Sequence, residues 1–171
     1  PLFPLKEEFM LRKSTLAIAA ALVSSAVYAQ QSYVTQRSIS YEAAHEAASI
    51  ALEQCRKNGY KVTVTVVDAG GGTKIVLHDD GARPHTIENS MRKAYTSLTS
   101  GRTSGDYGKA NVANPQSVGA LHLDRITTLE GALPIKSGNE VIGAIGVSGA
   151  PGGDKDAVCA QAGVDKIAKG L

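Results

Sequence analysis

The sequence predicts one α/β domain of the α+β type, in which a twisted antiparallel sheet of two hairpins is covered by helices. Three observations lead to this prediction. In two places a strand-like segment is joined to a second one by a short turn. Strands joined by so short a turn must be antiparallel. Segments with helical character separate and flank the two hairpins, which argues against a doubly wound parallel sheet.

The first helix of the domain covers about 41–58. Ser40 is a suitable N-cap for it, and Gly59 is well placed to end it. Residues at helical spacing form a stripe of small apolar side chains: Ala44, Ala47, Ala48, Ala51, Leu52 and Cys55. Because this stripe is mostly alanine, the helix can pack closely on whatever lies beneath it.

The first hairpin and the second helix follow. Residues 61–67 alternate with period two as a half-buried strand, Asp68–Gly72 forms a turn, and Thr73–His78 is the returning strand. Thr86 can cap a helix over about 87–99. The apolar stripe of this helix consists of Ile87, Met91, Ala94, Tyr95 and Leu98.

The second half of the domain is predicted to contain a loop, a short helix, a hairpin and a final helix. Gly101–Asn114 is polar and contains glycines, which predicts a loop. Pro115–His122 is a short helix, and residues 132–148 form the second hairpin. Asp154 is placed to cap a last helix over about 155–169.

The first 29 residues have the organisation of a cleaved leader. A positively charged segment precedes the apolar run Leu16–Val27, and compact residues end at Ala29, where a signal peptidase would cut. The run is shorter than the ~20 apolar residues that span a bilayer, so no stable membrane anchor is expected. We therefore expect a leader over 1–29, a polar arm over 30–40 and the domain over 41–171, in a periplasmic or secreted protein.

Export affects how the two cysteines are interpreted. Cys55 and Cys159 each lie in a predicted helix, and in an oxidising compartment they could form a disulfide if the two helices are neighbours. The alternative is two buried thiols that behave as small apolar side chains. Their separation in the sequence excludes a CxxC redox motif.

The charge and the motifs argue against several classes of function. The net charge is +2 and no basic stripe is present, so a nucleic-acid partner is not expected. Gly143, Gly146 and Gly149 lie within and just after a strand, whereas the glycines of a dinucleotide-binding fingerprint lie between a strand and a helix. No set of nucleophile, base and acid can be named, and no two histidines have the i, i+4 spacing of a metal pair.

Polar residues are concentrated where the first hairpin leads into the second helix. His78 and His85 flank this turn, and Arg83, Arg92 and Lys93 lie within a few residues of them. Such a concentration is a reasonable rim for a ligand pocket. The alternative is a solvated loop.

Six blocks of the sequence resemble, in order and spacing, those of a known family. They are Val66–Gly71, Asp80–Ala82, Arg92–Thr96, Gly131–Ile135, Val141–Gly149 and Asp154. The pattern is similar to the GlcG-like family, also called the heme-degrading or heme-binding-protein domain (DUF336-type), which also forms the C-terminal domain of PduO-type proteins. The likeness covers about 41–169, and Gly143–Gly149 is its most specific part. It implies the fold inferred above and assembly into homo-oligomers.

The chain departs from the family pattern in two places. Residues 78–81 read His-Asp-Asp-Gly where members often carry Arg-Met-Asp-Gly, and residues 130–134 replace a common Gly-Gly-x-Pro. The first departure places an imidazole where an arginine is common, which could add a ligand or merely remove a charge. The family has no single shared heme-ligating motif, so the resemblance does not identify an iron ligand.

The resemblance implies binding of heme or a related tetrapyrrole, and the leading expectation is a role in sensing, storage or protection. The sequence offers no obvious redox or acid–base machinery, so we expect binding without catalysis. A porphyrin needs apolar faces, a donor to iron and cations for its propionates. We expect the iron ligand to be His78 or His85 rather than His45 or His122, because apolar residues and cations lie close to the first two in sequence. The expected ligand-binding residues are His78, Arg83, His85, Arg92, Lys93 and Tyr95.

Two other functions stay open at this point. One is an enzyme or accessory factor for a small carboxylated metabolite, in which Arg92, Lys93 and His85 hold the anion. The other is an oligomeric assembly module whose glycine-rich second hairpin forms subunit contacts. A homo-oligomer is expected in any case, because the 132–149 hairpin is rich in apolar residues and a small domain has limited interior to cover both faces of a sheet.

Overall fold

The computed structural model describes residues 32–114 and 116–171, so the predicted leader and its cleavage site lie outside the described residues. The chain divides into two units after Thr35; of the first, only residues 32–35 are described, and they have no regular secondary structure. The second unit, Gln36–Leu171, contains the following elements. They are α1 Tyr41–Lys57, β1 Thr63–Asp68, β2 Thr73–His78, α2 His85–Ser100, α3 Ser104–Val112, a 3-10 helix Val118–His122, β3 Ala132–Ser137, β4 Glu140–Ser148, α4 Gly153–Ile167 and a last 3-10 turn Ala168–Gly170.

The four strands of these residues form one open sheet in the order β2-β1-β4-β3, and every neighbouring pair is antiparallel. The predicted α+β architecture is therefore confirmed. The two hairpins meet through β1 and β4, where Thr63 lies opposite Ser148 and Val66 opposite Ile145. The central strands are thus contributed by both halves of the chain, and β2 and β3 are the edges.

One face of the sheet packs against α1 and α4. The alanines predicted to form the stripe of α1 are fully buried, and they allow α4 to come so close that Gly163 lies directly against the backbone of Ala47. Beneath the helices, Val64, Ile145 and Val147 of the central strands are fully buried. A disulfide joins α1 to α4 between Cys55 and Cys159, whose Cα atoms are 5.5 Å apart. This face is the main apolar core.

The opposite face of the sheet packs against α2 and consists of small and polar side chains. Thr63 and Thr65 of β1 and Ser148 of β4 are buried there. A side chain at Gly146 would clash with α2, because the backbone of the helix passes directly over this position at Ser90 and Ala94. The helix therefore lies very close to the sheet and meets it through hydroxyl groups as well as apolar contacts.

The ends of α1 agree with the sequence analysis. The Ser40 hydroxyl accepts a hydrogen bond from the Ala43 amide at 3.1 Å, and Gly59 follows the helix with a φ of +79°, which favours glycine. Ile39, in the predicted polar arm, is buried, and its amide donates to the Ile142 carbonyl at 2.9 Å. The last residues of the arm therefore pack with the sheet.

Two predicted helix starts were wrong. α2 begins at His85 rather than after Thr86, and the Thr86 hydroxyl is turned inward, where it donates to the Arg83 carbonyl. α4 begins at Gly153, with Gly152 as its N-cap, so Asp154 lies in the first turn instead of capping the helix. In neither case does the N-cap residue accept a hydrogen bond through its side chain, so a search for capping side chains could not find the helix start.

The predicted loop over 101–114 was also wrong in part, because Ser104–Val112 is the helix α3. The Thr103 hydroxyl caps it by accepting from the Asp106 amide at 3.0 Å. Gly105 and Gly108 weaken the helical pattern of the sequence, but they allow α3 to lie directly against Glu130 and Thr128. The glycines are sites of close packing, and a packing contact of this kind leaves no local signal.

The apolar residues of the second hairpin belong to the core of the chain itself. Ile142, Ile145 and Val147 are at most 5% exposed, because helices cover both faces of the sheet over β4. The reason given above for contacts between subunits through this hairpin therefore does not hold, although the homo-oligomer stays a prediction. Within residues 32–114 and 116–171, no helix is both long and apolar enough to span a membrane.

Candidate functional site

The helix α2 separates two candidate sites on the polar face of the sheet. Thr86, Ser90 and Ala94 face β1 and β4, so residues beside them project to one flank or the other. Asn89 and Lys93 project toward β4 and the start of α4. Ile87, Met91, Tyr95 and Leu98, spaced for one helical stripe, occupy the flank toward β2.

A pocket with a volume of about 330 Å³ lies on the flank toward α4, and we call it the α2–α4 pocket. It is lined by residues of α2, the end of β4, the 149–153 loop, the start of α4 and the 128–130 segment. The polar residues of its lining are Arg83, His85, Thr86, Asn89, Lys93, Thr128, Glu130, Ser148 and Asp156. Three of the residues predicted from the sequence, Arg83, His85 and Lys93, are therefore brought together here.

A buried ion pair forms one wall of the α2–α4 pocket. Lys93 Nζ lies 2.8 Å from Asp156 Oδ2 and donates to the Val147 carbonyl at 3.0 Å, and both charged side chains are almost fully buried. The other carboxylate oxygen of Asp156 accepts from the Ala150 amide at 2.9 Å. Burial raises the pKa of Asp156, and the charge of Lys93 offsets this effect in part.

Space for this ion pair depends on Gly131. Its φ is +130°, and a Cβ atom there would lie 2.7 Å from Asp156 Cβ and 2.8 Å from Lys93 Nζ. Gly131, which belongs to the family block 131–135, therefore leaves the space that the Lys93–Asp156 pair occupies. Any side chain at this position would displace the charged pair.

Two further groups of the α2–α4 pocket are positioned by a hydrogen bond to each other. Asn89 Nδ2 donates to Ser148 Oγ at 2.9 Å. At the mouth of the pocket, Arg83 and His85 are exposed, and among the described residues Arg83 has no carboxylate within salt-bridge distance. The pocket thus combines satisfied buried charges with an unpaired guanidinium at its entrance.

On the other flank of α2, His78 ends a chain of short hydrogen bonds. His78 Nδ1 lies 2.6 Å from Thr63 Oγ1, which lies 2.6 Å from Thr86 Oγ1. Thr86 Oγ1 donates to the Arg83 carbonyl, which can only accept. The Thr63 hydroxyl must then donate to Thr86, and it can only accept from His78.

This chain of donors fixes the state of the His78 ring. Nδ1 carries the proton, so in the neutral imidazole Nε2 has an available lone pair. The side chain is exposed, and none of the described residues forms a hydrogen bond with Nε2. His78 therefore presents a nitrogen donor to the outside in a defined orientation.

Apolar side chains share this side of the sheet with His78. Val76 pairs with Thr65 across the strands, so it lies on the same face of the sheet as α2. It is 42% exposed, because α2 packs mainly on β4 and β1 and only lightly on β2. Ile87 is 45% exposed on the adjoining flank of α2, and Met91 is half-buried one turn later. We call this surface, formed by Val76, His78, Ile87 and Met91, the β2–α2 surface.

Tyr95 lies at the far end of the same flank. It packs against Gly71 in the turn between β1 and β2, where an added Cβ would lie 2.7 Å from the ring. The guanidinium of Arg125 stacks on the Tyr95 ring at 3.9 Å and donates to the Gly71 carbonyl at 3.3 Å. Tyr95 is thus held in place by packing and by a cation–π contact.

The residues predicted from the sequence are divided between the two flanks. Arg83, His85 and Lys93 line the α2–α4 pocket, whereas His78 and Tyr95 lie on the flank toward β2. Arg92 lines neither site and forms an i, i+4 salt bridge with Glu88 at 2.7 Å. Within the described parts of the chain, no group of three or more His, Cys, Asp or Glu side chains could hold a metal ion.

Several residues of the two sites were not identified from the sequence. Thr63, Asn89, Ser148 and Asp156 come from four different elements, and each is an ordinary polar residue in its local pattern. The one available signal was the alternation of β1, which places two threonines on the face that an apolar strand would use for a second core. Asn89, Ser148 and Asp156 become neighbours only when the sheet and helices are assembled.

The profile of the family described as "Haem degrading protein HbpS-like" matches residues 39–165. The crystal structure of a double mutant of Streptomyces reticuli HbpS is similar to this chain, with 32% sequence identity and a TM-score of 0.75. The match covers 82% of this chain and 95% of that one. Protein GlcG of Escherichia coli is 29% identical over 110 residues, which are 64% of this chain and 81% of GlcG. A structure of a PduOC–heme complex, 23% identical with a TM-score of 0.68 over 75% of this chain and 94% of that one, shares the fold.

Proposed function

The chain belongs to the haem degrading protein HbpS-like family, and on this premise we propose that it is an exported protein that binds heme or a related tetrapyrrole. Its role is sensing, storage or protection of that ligand. The observation that carries the proposal is the exposed His78 ring, whose Nδ1 is anchored to Thr63 and whose Nε2 has no hydrogen-bond partner among the described residues.

The two flanks of α2 differ in how well they fit a tetrapyrrole. The α2–α4 pocket, at about 330 Å³, is near the lower end of the size range of ligand sites, and polar and charged groups line most of it. The β2–α2 surface is open and offers the exposed side chains of Val76 and Ile87. The apolar faces of a flat ligand would cover apolar side chains on the β2–α2 surface, whereas in the α2–α4 pocket they would remove polar groups from water without replacing their hydrogen bonds.

Each residue of the β2–α2 surface has a role in binding the tetrapyrrole under this proposal. His78 Nε2 is the donor for iron, and bound heme supplies the metal centre that an imidazole nitrogen binds. The hydrogen bond from Nδ1 to Thr63 holds the ring orientation, as partners of metal-bound histidines commonly do. Val76, Ile87 and Met91 contact the macrocycle, and the exposed cation Lys74, on the same strand as Val76 and His78, is near enough in the chain to pair with a propionate.

The proposed export is supported by the disulfide and by the leader pattern of the sequence. Cys55 and Cys159 are fully buried between α1 and α4, and disulfides of this kind persist in oxidising compartments. We expect cleavage after Ala29 and a periplasmic or secreted mature protein. N-terminal sequencing of protein recovered from the periplasm or medium tests this, and a stable exported chain that retains Leu16–Val27 would contradict it.

Hemin titration of the mature protein tests the binding proposal. We expect a Soret change that saturates at stoichiometric ligand, and at least a tenfold loss of affinity in His78→Ala. His45→Ala is the matched control, because His45 is an exposed histidine on α1, away from both flanks of α2. Unchanged binding in His78→Ala, or a loss in His45→Ala or His122→Ala instead, would overturn the assignment of the ligand.

His85 separates the two flanks in the same experiment. It lies at the start of α2 and lines the α2–α4 pocket, so His85→Ala should leave hemin affinity within about twofold of the unsubstituted protein. Thermal unfolding of each variant without ligand shows whether the fold is intact. A loss in His85→Ala equal to that in His78→Ala would place the ligand across both flanks and contradict the β2–α2 surface as its site.

A further inference from the structure

The α2–α4 pocket contains more hydrogen-bond donors than the protein itself uses. Lys93 Nζ has three protons, and two of them are donated to Asp156 and the Val147 carbonyl. The Ser148 hydroxyl accepts from Asn89, so its own proton is available, and the Asn89 amide has a second proton. Three residues from α2 and β4, each with a donor that the described residues do not use, therefore line one small cavity.

The charges around the α2–α4 pocket are arranged asymmetrically. Deep in the pocket, the charge of Lys93 is balanced by Asp156 at 2.8 Å. At the mouth, Arg83 has no carboxylate partner among the described residues, and His85 lies beside it. A planar guanidinium that is free of other partners matches a carboxylate by paired hydrogen bonds. The Arg83 side of the mouth therefore favours an anionic group, away from the Glu130 carboxylate that also lines the pocket.

The opposite wall favours a hydrogen-bond donor on the ligand. Glu130 lines the pocket and is half-buried, because the glycine positions 105 and 153 leave room for it between α3 and α4. Asn89 adds an amide oxygen, for which the described residues provide no donor. A ligand that carries a hydroxyl group as well as a carboxylate can satisfy both the donors and the acceptors of the lining.

The size of the cavity limits the ligand. A volume of about 330 Å³ is near the lower end of the roughly 300–1,000 Å³ of small-molecule sites. The size of the pocket therefore favours a small metabolite. From the free donors, the unpaired guanidinium and the volume, we propose that the α2–α4 pocket is a second binding site, specific for a small hydroxycarboxylate and independent of the β2–α2 surface.

Calorimetric titration with lactate, lactamide and inorganic phosphate tests the inference. Lactate carries the carboxylate and the hydroxyl, lactamide has the same shape without the charge, and phosphate has charge without the carboxylate geometry. We expect saturable binding of lactate at millimolar concentration and at least tenfold weaker binding of the other two. Absence of lactate binding, or equal binding of lactamide, would overturn the proposal.

Matched variants locate the site. Arg83→Gln should weaken lactate binding at least tenfold, and Asn89→Leu should weaken lactate binding more than propionate binding. Arg92→Gln is the control, because Arg92 is a cation of the same helix that lines neither site and pairs with Glu88. Loss of lactate binding in Arg92→Gln, with none in Arg83→Gln, would contradict the assignment.

The same titrations distinguish this inference from the proposed function. His78→Ala should bind lactate normally while it loses hemin, and Arg83→Gln and Asn89→Leu together should lose lactate while hemin affinity changes by less than about threefold. Parallel loss of both ligands in one variant that still unfolds cooperatively at the normal temperature would contradict two independent sites.

Discussion

The two faces of the sheet are built from different chemistry. On the face covered by α1 and α4, alanines and branched aliphatic residues are fully buried, and a disulfide joins the two helices. On the face covered by α2, the apolar cluster consists only of Val67, Ala94 and Ala144 with Leu98 packed against it. Among the described residues, the contacts of this face also include hydroxyl pairs, an amide–hydroxyl hydrogen bond and a buried ion pair.

This difference indicates how the domain divides its tasks. Burial of apolar area is the main source of folding free energy, and most of that area lies on the α1–α4 face. A buried polar group contributes little net stability but is costly when its partner is lost. The polar groups beneath α2 therefore orient the side chains around them more than they stabilise the fold. Both candidate sites lie along this helix. The predictions below test that division.

The largest effect is expected from breaking the Lys93–Asp156 pair. Lys93→Met leaves the Asp156 carboxylate buried without its partner, which costs about 3–5 kcal/mol of the free energy of unfolding. Chemical denaturation measures this loss. The double variant Lys93→Met with Asp156→Leu should recover most of it, because an apolar pair of similar volume is tolerated where a single buried charge is not. A double variant no more stable than Lys93→Met would show that the polar face depends on the ion pair itself.

The next largest effect concerns the α1–α4 face. Replacing Cys55 and Cys159 together by alanine removes a link between residues 104 positions apart, and we expect a loss of about 2–4 kcal/mol. Hemin and lactate binding should be unchanged at temperatures where the variant is folded, because neither cysteine lies on the face of α2. Reduced binding by a folded variant would show that the two faces are coupled.

The two perturbed carboxylates, one near each face, should respond to pH with opposite sign. The Arg56 guanidinium at 2.7 Å holds the pKa of Asp79 below its ordinary value, so its contribution to stability is present at neutral pH and lost as the pH falls through the folded-state pKa. Burial raises the pKa of Asp156, so its contribution is present at low pH and lost as the pH rises through the folded-state pKa.

Substitution of Asp79 measures the first of these responses. We expect Asp79→Asn to cost about 1–2 kcal/mol at neutral pH, toward the low end for a charged hydrogen bond because the Arg56 side chain is 50% exposed and solvent screens it. The difference in unfolding free energy between Asp79→Asn and the unsubstituted protein should shrink as the pH falls below about 4. A difference independent of pH would contradict the role of the Arg56 pair.

The sequence predicted the α1–α4 face much better than the α2 face. The alanine stripe of α1 and the alternation of β1 are periodic patterns, and both are local properties of the chain. The contacts of α2 are between single residues of distant elements, such as Asn89 with Ser148 at 59 positions apart. The glycines of α3 led to a wrong prediction of a loop, because their close packing on Thr128 and Glu130 depends on the assembled fold. Periodicity predicts a core, whereas a polar site requires the tertiary structure.

The smallest expected effect on stability is also the most specific test of the polar face. Thr63→Val and Thr65→Val each remove one hydroxyl from the same face of β1, and each should cost about 0.5–1.5 kcal/mol of the free energy of unfolding. Only Thr63 fixes the proton of His78 on Nδ1, whereas Thr65 is bonded to Ser90. Thr63→Val should therefore weaken hemin binding severalfold, and the nitrogen NMR shifts of the His78 ring should show a mixture of tautomers. Thr65→Val should retain the Nδ1-protonated ring and normal hemin affinity. If both variants lost stability but neither changed the ring, the chain of hydroxyls would be only structural, and the orientation of His78 would have to come from its position at the end of β2 alone.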